Sequence, residues 1–471
     1  MPDTAAPPVQ SASTAPSQPD KINAAAAAVV VLDRCAVLAR CTGQPGQICR
    51  TFLSPAMEQV HAHLRAWMHA AGMKVRTDRA GNIIGSLEAA PASAHSSASG
   101  GTPHHLADAP RLLIGSHLDT VPNAGAYDGV LGVLLGLALA EELGRRSTHS
   151  RTFAPFFAPA FALDVIGLSE EEGVRFGSPF LGSKAVVNKL NAGLLTLRDR
   201  EGISLEQALD GYAASHPAAT APAIAQGTRA FLEFHIEQGP VLEFLGLPLG
   251  VVTAIAGQIR GVITFTGKAG HAGTTPMTHR RDALAAAAEW IGQVEALALA
   301  APGLTATVGQ LFVEPGAINV IPAKVGCSLD LRHADDAQRE LALAKILDAS
   351  QTIASRRGLR CDWSLTNTQA AVPMDAELVT MTERAVARAG YPAHRMVSGA
   401  GHDAMVLAEH LPSAMIFLRC PGGLSHHPEE AVLAGDVAAA IDAGLLFLEE
   451  FENATNIAAE PHNAATGGTP A

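Results

Sequence analysis

The sequence predicts an α/β fold in which a larger, discontinuous domain built on a sheet is interrupted by a smaller α+β domain. Three observations predict it. Short apolar runs at 111–114, 160–167 and 413–418 alternate with helical patterns at 57–71 and 130–145, the alternation of a sheet covered by helices. From about residue 250 the pattern changes to long strands (258–267, 305–313, 325–333) alternating with alanine-rich helices (281–299, 337–356). After 361–365 the first pattern resumes, with a helix at 376–389, a short helix at 404–410 and a strand at 413–418. The expected division is 22–249 and 368–452 for the larger domain and 250–367 for the insertion, two β-α-β style units forming a lid.

Taken in order, residues 57–71 carry the amphipathic period of a helix, and 74–76 with 82–87 read as a hairpin turning at Ala80-Gly81. The buried strand 111–114 runs into Gly115-Ser116-His117-Leu118-Asp119-Thr120, and Asp128-Gly129 precedes the apolar helix 130–145. A strand at 160–167 ends in Glu170-Glu171-Glu172, and Phe231-Leu232-Glu233-Phe234-His235-Ile236 alternates as a strand does. The tails 1–21 and 453–471, and the Ala/Ser/Gly/Pro-rich stretch 89–110 with its His104-His105 pair, have the composition of disordered segments.

Composition narrows the function classes. A chain of 471 residues with 48% hydrophobic and 17% charged residues can bury a large core. Its 33 basic against 45 acidic side chains give a net charge of −12, with no basic cluster suited to phosphate backbones, so no nucleic-acid partner is expected. The six cysteines lack any C-x-x-C spacing, which argues against a disulfide framework or a thiolate metal site and for a reducing cytoplasm. The N-terminus has no basic start followed by an apolar core, residues 24–32 are too short to span a bilayer, and no membrane partner is expected.

Chemistry-bearing residues gather at strand ends. His117 and Asp128 sit at consecutive strand-to-loop turns, where open α/β folds place ligands; alone, the pair is equally a satisfied histidine and a turn Asp-Gly. Asp119, two residues on, can hold the His117 ring. The three acids Glu170, Glu171 and Glu172 repel one another and need either solvent or a cation. His235 lies on a strand, and Leu424-Ser425-His426-His427-Pro428 follows another through a Pro-Gly-Gly turn; by chemistry His427 competes with His426. Together His117, Asp128, Glu172, His235 and His426 form a two-metal ligand set with one aspartate available to bridge. Imidazole and carboxylate donors without thiolates suit Zn²⁺, Mn²⁺, Co²⁺ or Ni²⁺. Glu171, beside a ligand, is the candidate general base for water and acid for a leaving nitrogen.

With these motifs the chain, from about 30 to 452, resembles the M20 metallopeptidase superfamily and, within it, the amidohydrolases acting on ureido compounds. The resemblance implies a mixed-sheet, zinc-peptidase-like catalytic domain with an inserted lid and dimerisation domain. It implies that His117, Asp128 and His235 bind one divalent ion while Asp128, Glu172 and His426 bind a second, with Glu171 as base. Phe234-His235-Ile236-Glu237-Gln238-Gly239-Pro240 and Glu171-Glu172-Gly173-Val174-Arg175-Phe176 point to the ureido branch, since a carboxylate usually fills the place of His235 in the peptidases.

In the lid, Gly270-His271-Ala272-Gly273-Thr274-Thr275-Pro276-Met277 resembles the segment whose histidine reaches the substrate carbonyl, often from the other subunit; His271 would stabilise the oxyanion. Asn319, in Gly316-Ala317-Ile318-Asn319-Val320-Ile321-Pro322, and Arg332, in Asp330-Leu331-Arg332-His333, resemble a carboxylate clamp. His402 in Gly401-His402-Asp403-Ala404, and Gln238, match segments that contact substrate.

The function so implied is hydrolysis of the carbamoyl C–N bond of a ureido acid, with allantoate the preferred substrate and an N-carbamoyl-L-amino acid the alternative. Further readings are an M20 dipeptidase or aminoacylase, against which His235 argues, and a non-catalytic protein of the same fold, against which the intact ligand and base positions argue. A homodimer is expected because the lid strand 258–267 would otherwise leave an exposed edge.

Overall fold

The computed structural model describes residues 23–89, 109–149, 160–217 and 224–459. The expectations for 1–21, for His104-His105 and most of 89–110, and for 460–471 lie outside them.

Apolar runs make the central layer. The strands Arg111–His117, Ala162–Leu168, Thr228–Ile236 and Ser413–Leu418 lie parallel and adjacent, and Ala162–Leu168 is buried along its whole length. Antiparallel strands extend the sheet: Lys74–Thr77 and Ile83–Leu87, paired as the expected hairpin, lie on one side, and Leu249–Ile255 and Val372–Pro373 on the other, where Arg395–Ser398 also pairs, parallel, with Leu249–Ile255. The helix Val130–His149 packs on the strand Arg111–His117, and Ala24–Ala39 and Ala434–Ala459 pack against each other and against that helix. The core between these layers contains Ile114, Leu134, Ile166, Phe234 and Phe417, all essentially inaccessible. Helix ends follow local chemistry: Ser54 accepts from the Met57 N–H ahead of Pro55–Ala70, with proline in the first turn.

The insertion has its own core. Its sheet runs in the order Leu311–Glu314, Lys324–His333, Gly257–Thr266, Arg360–Gln369, with Thr305–Thr307 also on Lys324–His333, and every pairing is antiparallel. The helices Ala283–Leu299 and Asp336–Arg357 bury Trp290, Ile346 and Ile353 against Ile263, Phe265 and Leu329. Trp290 Nε1 donates to the Ile346 carbonyl at 3.2 Å, so its polar atom is satisfied inside the core.

Four expectations are corrected. Leu249–Ile255 belongs to the larger sheet and the first lid strand starts at Gly257, so the seam falls at Ala256 instead of 250, and the return follows Gln369 instead of 367. A strand expected over 305–313 is two short ones, because Gly309 and Gln310 interrupt it and the Gln310 N–H turns to the Ser328 hydroxyl. The final helix Ala434–Ala459 takes in residues 453–459 of the expected disordered tail. The strand Gly257–Thr266 is interior, hydrogen-bonded on both sides, so it leaves no open edge and gives no ground for a dimer.

Candidate active site

Because four neighbouring strands run parallel, their carboxyl ends open onto one side of the sheet. Arg111–His117 ends at His117, Ala162–Leu168 leads into Glu170–Glu172, Thr228–Ile236 carries His235 and leads to Gln238, and Ser413–Leu418 leads to His426. Asp128 reaches the same point from the turn before Val130–His149. Gly129 there has φ +66°, and a β-carbon would stand 2.5 Å from the His117 ring, so this turn needs glycine twice over.

His235 Nε2 stands 3.1 Å from Asp128 Oδ1, His117 Nε2 stands 3.5 Å from the same oxygen, and the two nitrogens are 3.4 Å apart. On the other side of Asp128, His426 Nε2 lies 3.5 Å from Oδ2 and 3.3 Å from Glu172 Oε1. The five expected ligands thus converge as two triads sharing Asp128. His427 forms part of neither triad among the described residues. His117 Nδ1 bonds the Asp119 carbonyl at 3.1 Å and His235 Nδ1 bonds the Ile236 carbonyl at 2.9 Å, so neutral rings present lone pairs at Nε2. Asp128 Oδ1 is buried and takes no hydrogen bond from a conventional donor among the described residues. Three lone-pair atoms facing one point repel unless a cation or a proton lies between them, so this donor set fits a divalent ion.

Asp119 holds the His117 ring through its backbone carbonyl, and its side chain has a second task. Its carboxylate is 3.7 Å from the His117 ring and instead accepts the Glu171 N–H at 3.0 Å and the Glu172 N–H at 3.1 Å, orienting the acidic turn. Glu171 is buried, and that burial, reinforced by Glu172, Asp403 and Asp119 against the opposing pull of His117, holds its carboxyl well above the usual range. Burial opposes a charge on His117, but the carboxylate of Asp128 beside it and the acids Glu171 and Asp119 prevail and raise it. Asp128 moves the opposite way: burial would raise it, and the imidazoles of His117 and His235 beside it hold it well below.

The expected substrate residues are distributed around this centre. Gln238, at φ +57°, donates to Asp128 Oδ2 at 2.8 Å, as does the Ser425 hydroxyl at 2.7 Å. His402 is 1% exposed, with its Nε2 2.8 Å from the Ser398 hydroxyl and its ring 4.4 Å from that of His235. It sits behind a candidate ligand, where the expected substrate contact would need an exposed ring. His271 and Asn319 are exposed on the lid, on the paired short strand Gly270–His271 and just before Val320–Ile321. Arg332 Nη1 reaches across to the Gly399 carbonyl of the larger domain at 2.5 Å.

Three residues missed in the sequence support the centre. Glu430 accepts the Tyr127 and Asp128 N–H groups at 2.8 and 3.0 Å. Glu233 accepts from the Ser116 hydroxyl at 2.8 Å and the Ala404 N–H at 2.9 Å, beneath His235 on the same strand. Arg50, 1% exposed, donates to the Leu118 and Leu38 carbonyls, both at 3.1 Å, and pins the loop of His117 and Asp119. Glu233 had a signal, its place two residues before His235 on one strand face; Arg50 and Glu430 had none, since the contacts by which they reach the site, to Leu118 and Asp128, lie 68 and 302 residues away along the chain.

A parallel-strand edge bearing two histidine–carboxylate triads about one aspartate has the donor set of a metal-dependent hydrolase. Residues 113–450 match the family described as Peptidase family M20/M25/M40. The chain belongs to that family. It is 37% identical over 449 residues to the probable allantoate deiminase of Oryza sativa subsp. japonica, covering 88% of this chain and 86% of that protein. It is 39% identical over 368 residues to the N-carbamoyl-L-amino acid amidohydrolase of Geobacillus stearothermophilus, covering 78% and 84%. Among solved structures, an amidase of the hydantoinase/carbamoylase family from Burkholderia multivorans matches with a TM-score of 0.79 at 31% identity, covering 89% of this chain and 97% of that one. No helix among the described residues is long and apolar enough to cross a membrane.

Proposed function

We propose that the protein hydrolyses the carbamoyl C–N bond of a ureido acid, with allantoate as substrate: allantoate and water give ureidoglycine, ammonia and carbon dioxide. The observation that carries this reading is the pair of triads sharing Asp128 beside a buried Glu171, in a chain related along most of its length to an allantoate deiminase. His117, Asp128 and His235 would hold one ion, and Asp128, Glu172 and His426 a second, Mn²⁺ or Zn²⁺ by donor chemistry, with Co²⁺ or Ni²⁺ as substitutes. Ions so bound supply Lewis acidity, lowering the pKa of water and polarising a carbonyl. Glu171, buried next to Glu172, takes the proton of the attacking water and returns it to the leaving nitrogen. Arg332 and Asn319 hold the substrate carboxylate, Gln238 steadies Asp128, and His271 donates to the oxygen on which charge develops.

His271 and Asn319 are exposed in the single chain, and Ile318, next to Asn319, is fully exposed, which supports a homodimer in which a second copy covers the lid tip. Six free, buried thiols support a reducing, cytoplasmic setting.

The alternative substrate is an N-carbamoyl-L-amino acid, favoured by the Geobacillus stearothermophilus relative. One assay separates the two: ammonia release by the apo-protein reconstituted with Mn²⁺ or Zn²⁺, on allantoate and on a panel of N-carbamoyl-L-amino acids, with Glu171→Gln as control. Allantoate turnover that falls by roughly 10²–10⁴ in Glu171→Gln is the expected result and assigns the protein to purine breakdown. Turnover of the carbamoyl amino acids alone moves the assignment to a carbamoylase. Ammonia from neither overturns the ureido reading, and amino-acid release from dipeptides would then establish a peptidase.

A further inference from the structure

Arg332 does not stand free on the lid. Asp330 lies two residues before it on the strand Lys324–His333 and so on the same face, while Leu329 and Leu331 point into the lid core. Arg332 Nε donates to Asp330 Oδ1 at 2.7 Å and Nη2 donates to Oδ2 at 2.9 Å, a two-point bond along one edge of the guanidinium. Arg260, directly across on the neighbouring strand, donates through Nε to the same Oδ2 at 2.8 Å. The remaining contact, from Nη1 to the Gly399 carbonyl, crosses from lid to larger domain. Gly399 follows Ser398, whose hydroxyl holds His402, which packs on His235. The arginine is therefore anchored on a short path to the candidate metal centre.

A guanidinium has five N–H groups. Asp330 engages two and Gly399 one, which leaves one N–H on each terminal nitrogen. We propose that Asp330 is a positioning residue that fixes one edge of Arg332 so that this remaining pair receives both oxygens of the substrate carboxylate. The inference rests on reading Arg332 as the carboxylate clamp of a ureido-acid hydrolase, and it adds how the clamp is aimed. Asp330 also leaves the cluster of Arg260, Asp330 and Arg332 with a single net positive charge, sufficient to attract one carboxylate.

Two physical effects of Asp330 on substrate binding have opposite signs, and that makes the proposal testable. If Asp330 merely reduced the positive field, removing its charge would strengthen carboxylate binding. If it positions Arg332, removing or shifting its carboxylate releases a long side chain into many rotamers, and binding weakens. Asp330 and Arg332 have side chains 28% and 27% exposed, so solvent screens the field effect and positioning prevails.

The experiment compares wild type, Asp330→Asn, Asp330→Glu and Arg332→Ala, each fully loaded with metal, on a turned-over ureido acid and on its neutral carboxamide. Affinity is read as KM or, for the amide, as a competitive inhibition constant. Asp330→Asn raises KM for the acid roughly tenfold, with kcat within about twofold and the amide constant unchanged. Asp330→Glu keeps the charge but displaces the carboxylate, so positioning predicts a KM rise here too, whereas a field effect predicts none. A lower KM in Asp330→Asn with no change in Asp330→Glu overturns the proposal in favour of charge tuning. Equal weakening of acid and amide overturns it in favour of general damage to the lid. An Arg332→Ala protein with wild-type KM for the acid would remove the clamp reading itself, an outcome distinct from a failure at Asp330.

Discussion

Glu430 offers the sharpest test of how the centre is held. It is 5% exposed, and one of its oxygens accepts two backbone N–H groups, those of Tyr127 and of Asp128 itself. Its own N–H donates to the His427 carbonyl at 3.0 Å, so it ties the loop carrying His426 to the turn carrying Asp128. Gly125 makes room for it, since a β-carbon there would meet the Glu430 side chain at 2.4 Å. Glu430→Ala deletes both bonds and leaves two amides without an acceptor in a buried turn. Hydrogen bonds to a charged group contribute about 1.5–3 kcal/mol each, but the turn relaxes and only part of that sum reaches the metal centre. A loss of metal affinity of roughly 10–100-fold is expected, the range typical of groups that orient ligands. Glu430→Gln presents an amide oxygen to the same two donors and should bind metal within a few-fold of wild type. The assay is competition for Mn²⁺ or Zn²⁺ against a chromophoric chelator, with the melting temperature of each apo-protein measured alongside. Wild-type affinity in Glu430→Ala would refute the reasoning. Equal loss in the Gln and Ala variants would show that charge matters and the geometry of the turn does not.

Two further perturbations probe other links. Gly129→Ala places a methyl group against the His117 ring in a backbone region that costs an L-residue roughly 1–2 kcal/mol, so both apo stability and the rise in melting temperature on adding metal should fall; an unchanged metal-dependent rise counts against the ring displacement. His61 is buried, its Nε2 has no hydrogen-bond partner among the described residues, and burial, with Arg65 and His216 adding to it, pushes its pKa down to about 3. The unfolded chain binds a proton near pH 6.5 and the folded protein does not, so stability is lost as pH falls from about 6.5 towards 3. That amounts to roughly 2 kcal/mol by about pH 5. His61→Leu should flatten the dependence of melting temperature on pH between about 6.5 and 5, and an unaltered slope would rule His61 out as its source.

Local signals made the elements legible, and partnership across the chain did not. The hairpin at Ala80-Gly81, the helix after Asp128-Gly129 and the long lid helices each follow from periodicity, turn chemistry and capping over a dozen residues. The convergence of the candidate ligands was legible because a parallel sheet delivers strand ends to one side, so a histidine or acid just beyond an apolar run has a predictable address. Pairing in the lid is harder to read. An alternating strand such as Gly257–Thr266 shows which face is buried, but its hydrogen-bonding edges carry no sequence pattern, so an interior strand reads the same as an edge. The motif around His402 singles out the residue and cannot reveal that Ser398 and His235 enclose the ring.

The buried acids explain why supports such as Arg50 and Glu430 are needed at all. Asp119, Glu171, Glu233 and Asp403 are each shifted upwards, first by burial, and Asp403 is pushed to about 8 with Glu233 beside it. A low-dielectric site with this many carboxylates resists being fully ionised, and its acids separate or protonate unless positive charge enters. Arg50 brings one such charge: buried, with its hydrogen bonds going to backbone carbonyls, it is lowered to about 10 by burial and drawn back up by Cys41 and Asp119. Backbone N–H groups bring partial charges, two to Asp119 and two to Glu430. These fixed dipoles hold Asp119 and Glu430 away from the shared point, so that the lone pairs of His117, His235 and Asp128 face it instead. The rigid sheet edge thereby pre-arranges surroundings fit for a cation, while the proposed clamp, Arg332 and Asn319, stands on an inserted domain with a separate core.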